Sequence, residues 1–358
     1  MQASLVLHSS ESVPLCFLCL RDLARIQTSF RICALRGSRG FYFRASLGQP
    51  FLSTLIHAMR KSDKAYMLKV YAAALQCVEA GSIEPLRPLF AEREAWAKIH
   101  SKAKDKGKGY REAFRRYDDG ERPDVFAKGN GKLPFFAFSS MAGIDCPQAG
   151  RCLYGESGDL LGGFCYSLKA WRYPDAIMRQ LTNSIRLRTK EGREEILQAW
   201  MNLPRGAIVR LYVDGDFASP EILSFWFRLC FARPDLQVYG YSKSWKLLLA
   251  YAESGARFPS NYLLNLSSGG NGTEAEKDAV SRLPIARGEF IAIETKRNHG
   301  KAYQSKRNEG FADYARDVRE QAGRRVFVCS GKCGDCTPSG HACGSEKFRG
   351  VPIAIGVH

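Results

Sequence analysis

Residues 208–241 decide the fold and read IVRLYVDGDFASPEILSFWFRLCFARPDLQVYGY. Apolar segments typical of buried strands lie at 208–213 and 236–241. The segment between them, 220–231, has the composition of a helix. It begins at Ser219-Pro220, two residue types that are preferred at a helix N-cap and at the first helical position. A strand, a helix and a strand in this order predict a β-α-β unit with two parallel strands.

The same alternation continues on both sides of this unit. Strands are predicted at 135–138, 208–213, 236–241, 262–266, 290–293 and 325–328. Helices are predicted at 174–188, 193–201, 220–231, 245–252 and 274–283. We therefore expect an α/β fold with a mainly parallel sheet and flanking helices, either open or closed into a partial β/α barrel.

The chain before this domain has a different character. Residues 59–128 form a basic region in which apolar residues recur with helical spacing, and we expect them to be helical. Residues 1–58 contain six Arg, no Lys and two acidic residues, and no fold can be read from them. We expect a poorly ordered or non-native extension there, with a transit peptide or a start at Met59 as alternatives. The β/α domain then spans residues 129–358.

Composition limits the classes of protein that the chain can belong to. Its 358 residues are 45% hydrophobic and 25% charged, which excludes a disordered or collagenous chain. The apolar runs are shorter than the roughly 20 residues that span a bilayer, so we expect no membrane segment and a cytoplasmic protein. Twelve cysteines in a chain of this length favour metal or cluster binding over a disulfide scaffold.

The formal net charge of +17 favours an anionic partner, nucleic acid or another polyanion, although a solvated basic surface explains it equally well. Two basic segments, 102–111 and 296–307, are either contacts for a phosphate backbone or solvated loops. By our count, residues 1–58 contribute +4, residues 59–132 contribute +6, and residues 133–358, nearly all of the β/α domain, contribute only +7. The charge of the folded domain is therefore a weaker argument for nucleic acid than the total suggests.

Chemically active side chains follow the predicted strands. Because the carboxyl ends of parallel strands meet at one edge, we expect these side chains to share a rim. Asp214, Asp216 and Glu294 are the candidate catalytic carboxylates, which bind a cation or orient a substrate; for the aspartates, a helix cap is the alternative. A glycine-rich loop contributes Ser267, Gly269 and Gly270, which either bind a phosphate or ribose of a cofactor or form an ordinary turn.

Seven cysteines fall into two groups beside strand ends. The C-terminal group has the spacing C-x3-C-x2-C and comprises Cys329, Cys333 and Cys336, with Cys343 seven residues further on. Four thiolates fit a tetrahedral Zn²⁺ or an iron–sulfur cluster, and His341 is an alternative to one of them. The looser group comprises Cys146, Cys152 and Cys165. It either leaves one metal position open or joins the C-terminal group in a single composite site.

The order of these motifs resembles the phage gene-product-88 family, an uncharacterised family of phages and mobile elements. The resemblance covers roughly residues 128–345. It rests on residues 129–134 (GNGKLP), the pairs Cys146-Pro147 and Cys165-Tyr166, the turn Asp214-Gly215-Asp216, and the C-terminal cysteine group.

A more distant similarity connects the chain to radical S-adenosylmethionine enzymes. In those enzymes the loop after the first barrel strand carries three cysteines, often ends in Cys-aromatic, and leaves one iron of a [4Fe-4S] cluster free to bind S-adenosylmethionine. The loop that ends at Cys165-Tyr166 matches in position but not in spacing, whereas the matching spacing occurs at Cys329. The similarity implies an iron–sulfur cluster, with S-adenosylmethionine as a possible second cofactor.

Two hypotheses follow from these patterns. In the first, the chain is an iron–sulfur enzyme, of the radical S-adenosylmethionine type if the cluster has an open iron, that acts on nucleic acid or another anionic substrate. In the second, it is a non-enzymatic nucleic-acid-binding protein whose cysteines hold a structural zinc or a closed cluster. The two hypotheses differ in whether one metal position is open.

Overall fold

A computed structural model of the chain describes residues 61–100, 107–129, 133–295, 308–334, 336–337 and 340–356. All of these residues belong to the larger of two compact units, Gln49–His358. Several predictions lie outside the described residues: the extension at 1–58, residues 102–106 of the basic segment at 102–111, and the basic segment at 296–307. No helix within the described ranges is long and apolar enough to cross a membrane.

Seven strands form one parallel sheet that is curled into a half-barrel, which confirms the predicted fold class. The order across the sheet is β1-β2-β3-β4-β5-β7-β6, and every neighbouring pair is parallel. The strands are β1 Phe136–Ala137, β2 Ile208–Leu211, β3 Gln237–Ser242, β4 Tyr262–Ser267, β5 Ala286–Ile293, β6 Phe327–Val328 and β7 Ile353–Gly356.

Helices precede the sheet and connect its strands. The N-terminal helices are α1 Lys61–Ala80, α2 Arg87–His100 and α3 Lys108–Asp118. Those within the sheet domain are α4 Gly150–Tyr154, α5 Ser167–Ala170, α6 Pro174–Arg188, α7 Lys190–Met201, α8 Pro220–Ala232, α9 Trp245–Glu253, α10 Glu274–Ser281 and α11 Asn308–Ala322. Ser219 caps α8 by accepting a hydrogen bond from the Ile222 N–H, as its position predicted.

The two faces of the sheet pack against different parts of the chain. On the outer face, alternate apolar residues such as Val209, Leu211 and Val238 form one core with helices α7, α8 and α9. The aromatic run at 225–227 belongs to this core, as predicted. The strand residues between these point to the inner face. They include Tyr239 of β3, and they pack against the segment that follows β6. This C-terminal segment therefore covers the inner face of the half-barrel.

The structure differs from the sequence prediction mainly near the C-terminus. The strand β7 was not predicted, and it inserts between β5 and β6. The helix α11 was also missed, and β5 begins four residues before the predicted start. Strand β2 is shorter than the predicted strand at 208–213. It ends at Leu211 because Tyr212 adopts a left-handed conformation with φ of 56°. This turn directs the chain into Asp214-Gly215-Asp216.

Candidate functional site

The seven cysteines form two separate groups in the half-barrel. We call Cys146, Cys152 and Cys165 the mouth thiols, because they lie at the carboxyl ends of the strands. The inner-face thiols are Cys329, Cys333, Cys336 and Cys343. Mouth thiols pack with the N-terminal helices, whereas inner-face thiols pack on the sheet residues Tyr239 and Tyr241. The two groups therefore belong to different packing clusters of the domain.

Two loops fix the mouth thiols against each other. The Cys152 N–H, in α4, donates to the Gly269 carbonyl oxygen over 2.8 Å, and the Cys165 N–H donates to the Cys152 carbonyl oxygen over 2.8 Å. A Cβ atom on Gly269 would lie 3.2 Å from the Cys152 Cβ and 2.6 Å from the Phe164 ring, and one on Gly270 would lie 2.9 Å from the Gln148 carbonyl oxygen. The glycine-rich loop is thus packed directly on the cysteine loop, which explains its composition.

Ser267, the third residue predicted to bind a cofactor, faces the mouth. Its hydroxyl oxygen accepts a hydrogen bond from the Lys243 ammonium over 3.0 Å. Burial lowers the pKa of Lys243, but Cys152, Asp216 and the other mouth thiols raise it by more, so the ammonium keeps its charge. Lys243 is therefore a cation held among three thiols.

Asp216 connects the ends of β2 and β3. Its carboxylate accepts hydrogen bonds from the Ser242 hydroxyl over 2.7 Å, the Lys243 N–H over 2.7 Å and the Phe217 N–H over 2.8 Å. Burial raises the pKa of Asp216 above its ordinary value, although these donors and the Lys243 charge oppose the increase. The carboxylate has a structural role at the mouth and also supplies negative charge beside Lys243.

The other two predicted carboxylates lie in contrasting environments. Asp214 is buried, and burial raises its pKa despite hydrogen bonds from Ser167, Ser139 and Gln180. Glu294 is exposed after β5, and no hydrogen bond or ion pair joins it to another residue of the described ranges. Asp214 and Asp216 therefore lie buried in the turn after β2, whereas Glu294 lies exposed after β5.

Burial opposes the thiolate form of Cys146 and Cys152. It raises the pKa of Cys146 well above its ordinary value, and the nearby Asp216 and Cys165 raise it further. Burial also raises the pKa of Cys152 to about 11, while the Lys243 charge acts in the opposite direction. A bound cation would remove this penalty, because it stabilises neighbouring thiolates directly.

The inner-face thiols interact with one another in the same way. Burial raises the pKa of Cys329, and the nearby Cys343, Cys333 and Cys336 raise it further. The Gly331 N–H donates to the Cys329 sulfur over 3.4 Å, and the Ala342 N–H donates to the Cys336 sulfur over 3.4 Å. Amide donors of this kind stabilise negative charge on sulfur ligands.

Arg287 adds a buried positive charge beside Cys343. The side chain is fully buried, and it donates hydrogen bonds to the Asn265 side-chain oxygen and to the carbonyl oxygens of Phe348, Val351 and Glu289. Burial lowers the pKa of Arg287, whereas Cys343 raises it. Burial raises the pKa of the Cys343 thiol to about 11, while the Arg287 charge acts in the opposite direction. If a metal held Cys343 as a thiolate, Arg287 would be its counter-charge.

His341 lies between the rings of Phe135 and Tyr239, at centroid distances of 4.6 and 4.8 Å. Burial lowers its pKa to about 4, so the imidazole is neutral at pH 7. Its Nδ1 accepts a hydrogen bond from the Gly344 N–H over 3.1 Å, which places the proton on Nε2. Neither nitrogen then has a free lone pair, which favours Cys343 over His341 as the fourth ligand.

Within the described residues, no three His, Cys, Asp or Glu side chains converge closely enough to hold a metal ion. The thiols of each group lie within electrostatic range of one another without forming a closed ligand set. The donor types nevertheless fit a soft metal or an iron–sulfur cluster, since each group consists of buried and half-buried thiols with a cation or amide donors beside them.

A family model described as gene product 88 matches residues 107–347, about two thirds of the chain. The chain belongs to the gene product 88 family. No curated protein and no solved structure matches it. The family match confirms the resemblance inferred from the motif order and extends it upstream to α3. All seven cysteines of the two groups lie within the part of this gene product 88 protein that the family model covers.

Three residues near the thiols were not among the predicted site residues: Arg210, Tyr166 and Lys243. Arg210 of β2 donates to the Tyr166 hydroxyl over 3.2 Å and affects the pKa of both Tyr166 and Asp214. The alternation of side chains along β2 could have predicted the position of Arg210, because it places Arg210 on the face opposite Val209 and Leu211. A charged residue at an inward position of a buried strand indicates a polar interior.

Proposed function

We propose that this gene product 88 protein is an iron–sulfur enzyme whose cluster is held by Cys146, Cys152 and Cys165. The observation that carries the proposal is the separation of the two thiol groups, which leaves three cysteines at the mouth of the half-barrel and no fourth among the described residues there. Ligands of α/β sheets bind at this edge. Three protein ligands leave a metal position open for substrate or cofactor.

A [4Fe-4S] cluster bound by three thiolates supplies an iron that can bind and reductively cleave S-adenosylmethionine. The chain's own residues would prepare the surroundings of such a cluster. Lys243 balances the thiolate charge, Asp216 fixes the end of β3, and the loop containing Gly269 holds Cys152. Nucleic acid or another anionic molecule is the proposed substrate, consistent with the basic composition of the chain.

The inner-face thiols form, in this proposal, a second and closed centre that contains zinc or an iron–sulfur cluster. Four thiolates with buried Arg287 beside Cys343 match the charge of such a centre. Its role is to hold the C-terminal segment on the sheet. This observation also supports the second hypothesis, in which every metal is structural and the protein binds nucleic acid without catalysis.

Metal analysis of anaerobically purified protein tests the proposal. We expect iron and sulfide in the wild type, loss of one cluster's iron in Cys152→Ala, and no loss in Cys230→Ala, a buried cysteine of the outer core. Adding S-adenosylmethionine to the reduced protein should change its electron paramagnetic resonance spectrum in the wild type but not in Cys152→Ala. A colourless protein that contains zinc and no iron contradicts the proposal. An unchanged spectrum in the iron-loaded wild type contradicts an open iron.

A further inference from the structure

Arg210 stands on the inner face of the half-barrel among aromatic residues. Its guanidinium carbon lies 4.5 Å from the centroid of the Tyr241 ring, and its Nη2 donates to the Tyr166 hydroxyl. Burial lowers the pKa of Arg210, but Tyr166, Tyr241, Tyr239 and Cys333 together raise it well above its ordinary value. The neighbours of this cation are therefore phenols and a thiol, with no ion pair to a carboxylate among the described residues.

Two polar atoms at this place have unused hydrogen-bonding capacity. The Arg210 Nε is buried and has no acceptor within the described part of the chain, and the same holds for the buried Tyr239 hydroxyl, which has no partner there. The two residues are register partners on β2 and β3, so they lie side by side. Asp214, the nearby carboxyl group, is bonded instead to Ser167, Ser139 and Gln180. Buried donors without acceptors are rare in proteins, and they indicate a missing partner.

Tyr166 opens this cluster toward solvent. Its hydroxyl donates to the Val213 carbonyl oxygen, yet 55% of the residue is exposed. The aromatic ring therefore lies at the mouth with its polar end fixed. Lys243 and Arg210 both lower the pKa of Tyr166, which places two cations near one accessible ring.

We propose that Arg210 binds a phosphate group and that the Tyr166 ring stacks on the base attached to it, so that the ligand is a nucleotide or one nucleotide of a single strand. A guanidinium is suited to bidentate phosphate contacts, and an exposed aromatic ring is suited to stacking by a base. Lys243 supplies the second positive charge. This inference rests on the proposed function only in placing the substrate at the mouth.

Calorimetric titration of the full-length protein tests this site with three probes: inorganic phosphate, thymidine 5′-monophosphate and thymidine. We expect the monophosphate to bind more tightly than either fragment. Arg210→Lys and Arg210→Met should each weaken phosphate and monophosphate binding by about tenfold or more, since a charge-assisted bidentate contact is lost. Tyr166→Leu should remove the advantage of the monophosphate over phosphate, and Tyr166→Phe should keep it.

Lys246→Met is the matched control, because Lys246 lies three residues after Lys243 with 64% of its side chain exposed. Its affinities should equal those of the wild type. Unfolding midpoints and metal content of every variant separate misfolding from lost binding. An unchanged phosphate affinity in both Arg210 variants overturns the proposal. The proposal is also overturned if the Arg210 variants lose metal but still bind phosphate, because Arg210 would then be a counter-charge for Cys333. None of these results depends on a response to S-adenosylmethionine.

Discussion

Gly215 lies between two buried aspartates, with φ of 81°. A Cβ atom at this position would lie 2.2 Å from the Ser140 Oγ and 3.1 Å from the Ser140 carbonyl oxygen. The turn after β2 therefore requires glycine for two reasons, its left-handed backbone and its close approach to the loop after β1. Both requirements serve the placement of Asp214 and Asp216 at the mouth.

Gly215→Ala should lower the free energy of unfolding by about 3 kcal/mol, since a left-handed alanine and an overlap with buried atoms both cost stability. Gly255→Ala is the control. Gly255 also has a positive φ, 73°, but nothing lies within 4 Å of an added Cβ, so only about 1 kcal/mol should be lost there. Urea unfolding measures both variants, and equal losses would contradict the packing argument.

Asp216→Asn should destabilise the protein by roughly 1–3 kcal/mol, because an amide nitrogen then faces a backbone donor that the carboxylate now accepts. An amide nitrogen in place of Oδ2 would face the Lys243 N–H. In place of Oδ1, it would face the Phe217 N–H and the Ser242 hydroxyl. Thermal unfolding measures the loss. Asp278→Asn, on the exposed surface of α10, should leave the unfolding temperature unchanged, and a similar fall in both variants would indicate a general charge effect.

At the scale of elements, the C-terminal segment has the largest influence on the half-barrel. The strand β7 pairs with β5 on one side and β6 on the other, so the chain returns into the sheet after its cysteine-rich loop. Helix α11 packs on this part of the sheet through Tyr314, Ala315 and Val318. If the inner-face thiols bind a metal, as proposed above, that metal would anchor the loop between β6 and β7.

Cys343→Ala should reduce the bound metal and speed hydrogen exchange in β7, residues Ile353–Gly356, because the loop before that strand loses its anchor. Exchange in β3 should change little. Cys230→Ala also removes a buried thiol but should affect neither metal content nor exchange in β7. Mass spectrometry of exchange and metal analysis measure these effects, and full metal content in Cys343→Ala would contradict the assignment of this ligand.

Tyr314→Phe should cost about 1 kcal/mol of stability, because the Tyr314 hydroxyl accepts from the Gly356 N–H over 2.8 Å inside the protein. Tyr251→Phe, which removes a more accessible bond to the Arg257 carbonyl oxygen, should cost less. Chemical denaturation compares the two variants. A larger loss for Tyr251→Phe would show that α11 contributes little to the position of β7.

At the scale of the whole molecule, one half-barrel separates two chemical environments. The outer face is an apolar core of aromatic and aliphatic side chains. The inner face contains Arg210, Arg287, tyrosines and the C-terminal thiols, with the mouth thiols beyond the strand ends. This polar, cysteine-rich interior differs from a purely structural core, which is predominantly apolar.

If a polyanion is the partner, affinity for a single-stranded oligonucleotide should fall steeply as salt increases, with a slope near −0.7 for each phosphate contact on a logarithmic plot. Fluorescence anisotropy at several salt concentrations measures the slope. A flat response would remove nucleic acid as the partner and leave a small anionic substrate. Arg210→Met should reduce the slope by roughly the contribution of a single contact.

The sequence by itself determined the α/β class, because apolar strands and helices have different periods that can be read locally. The strand order at the C-terminal edge could not be read in this way. The segment at 353–356 has only four residues, and its place between β5 and β6 depends on contacts with distant residues. Helix α11 was missed although its polar and apolar residues alternate with helical spacing.

The cysteine spacing identified both thiol groups, since metal ligands often lie close together in sequence. Only the tertiary structure decided that the groups are separate and that Arg210, Tyr166 and Lys243 join them. These residues come from β2, the loop after β1 and the end of β3. Their proximity arises because the curled parallel sheet brings distant side chains to one face, and no local pattern encodes that distance.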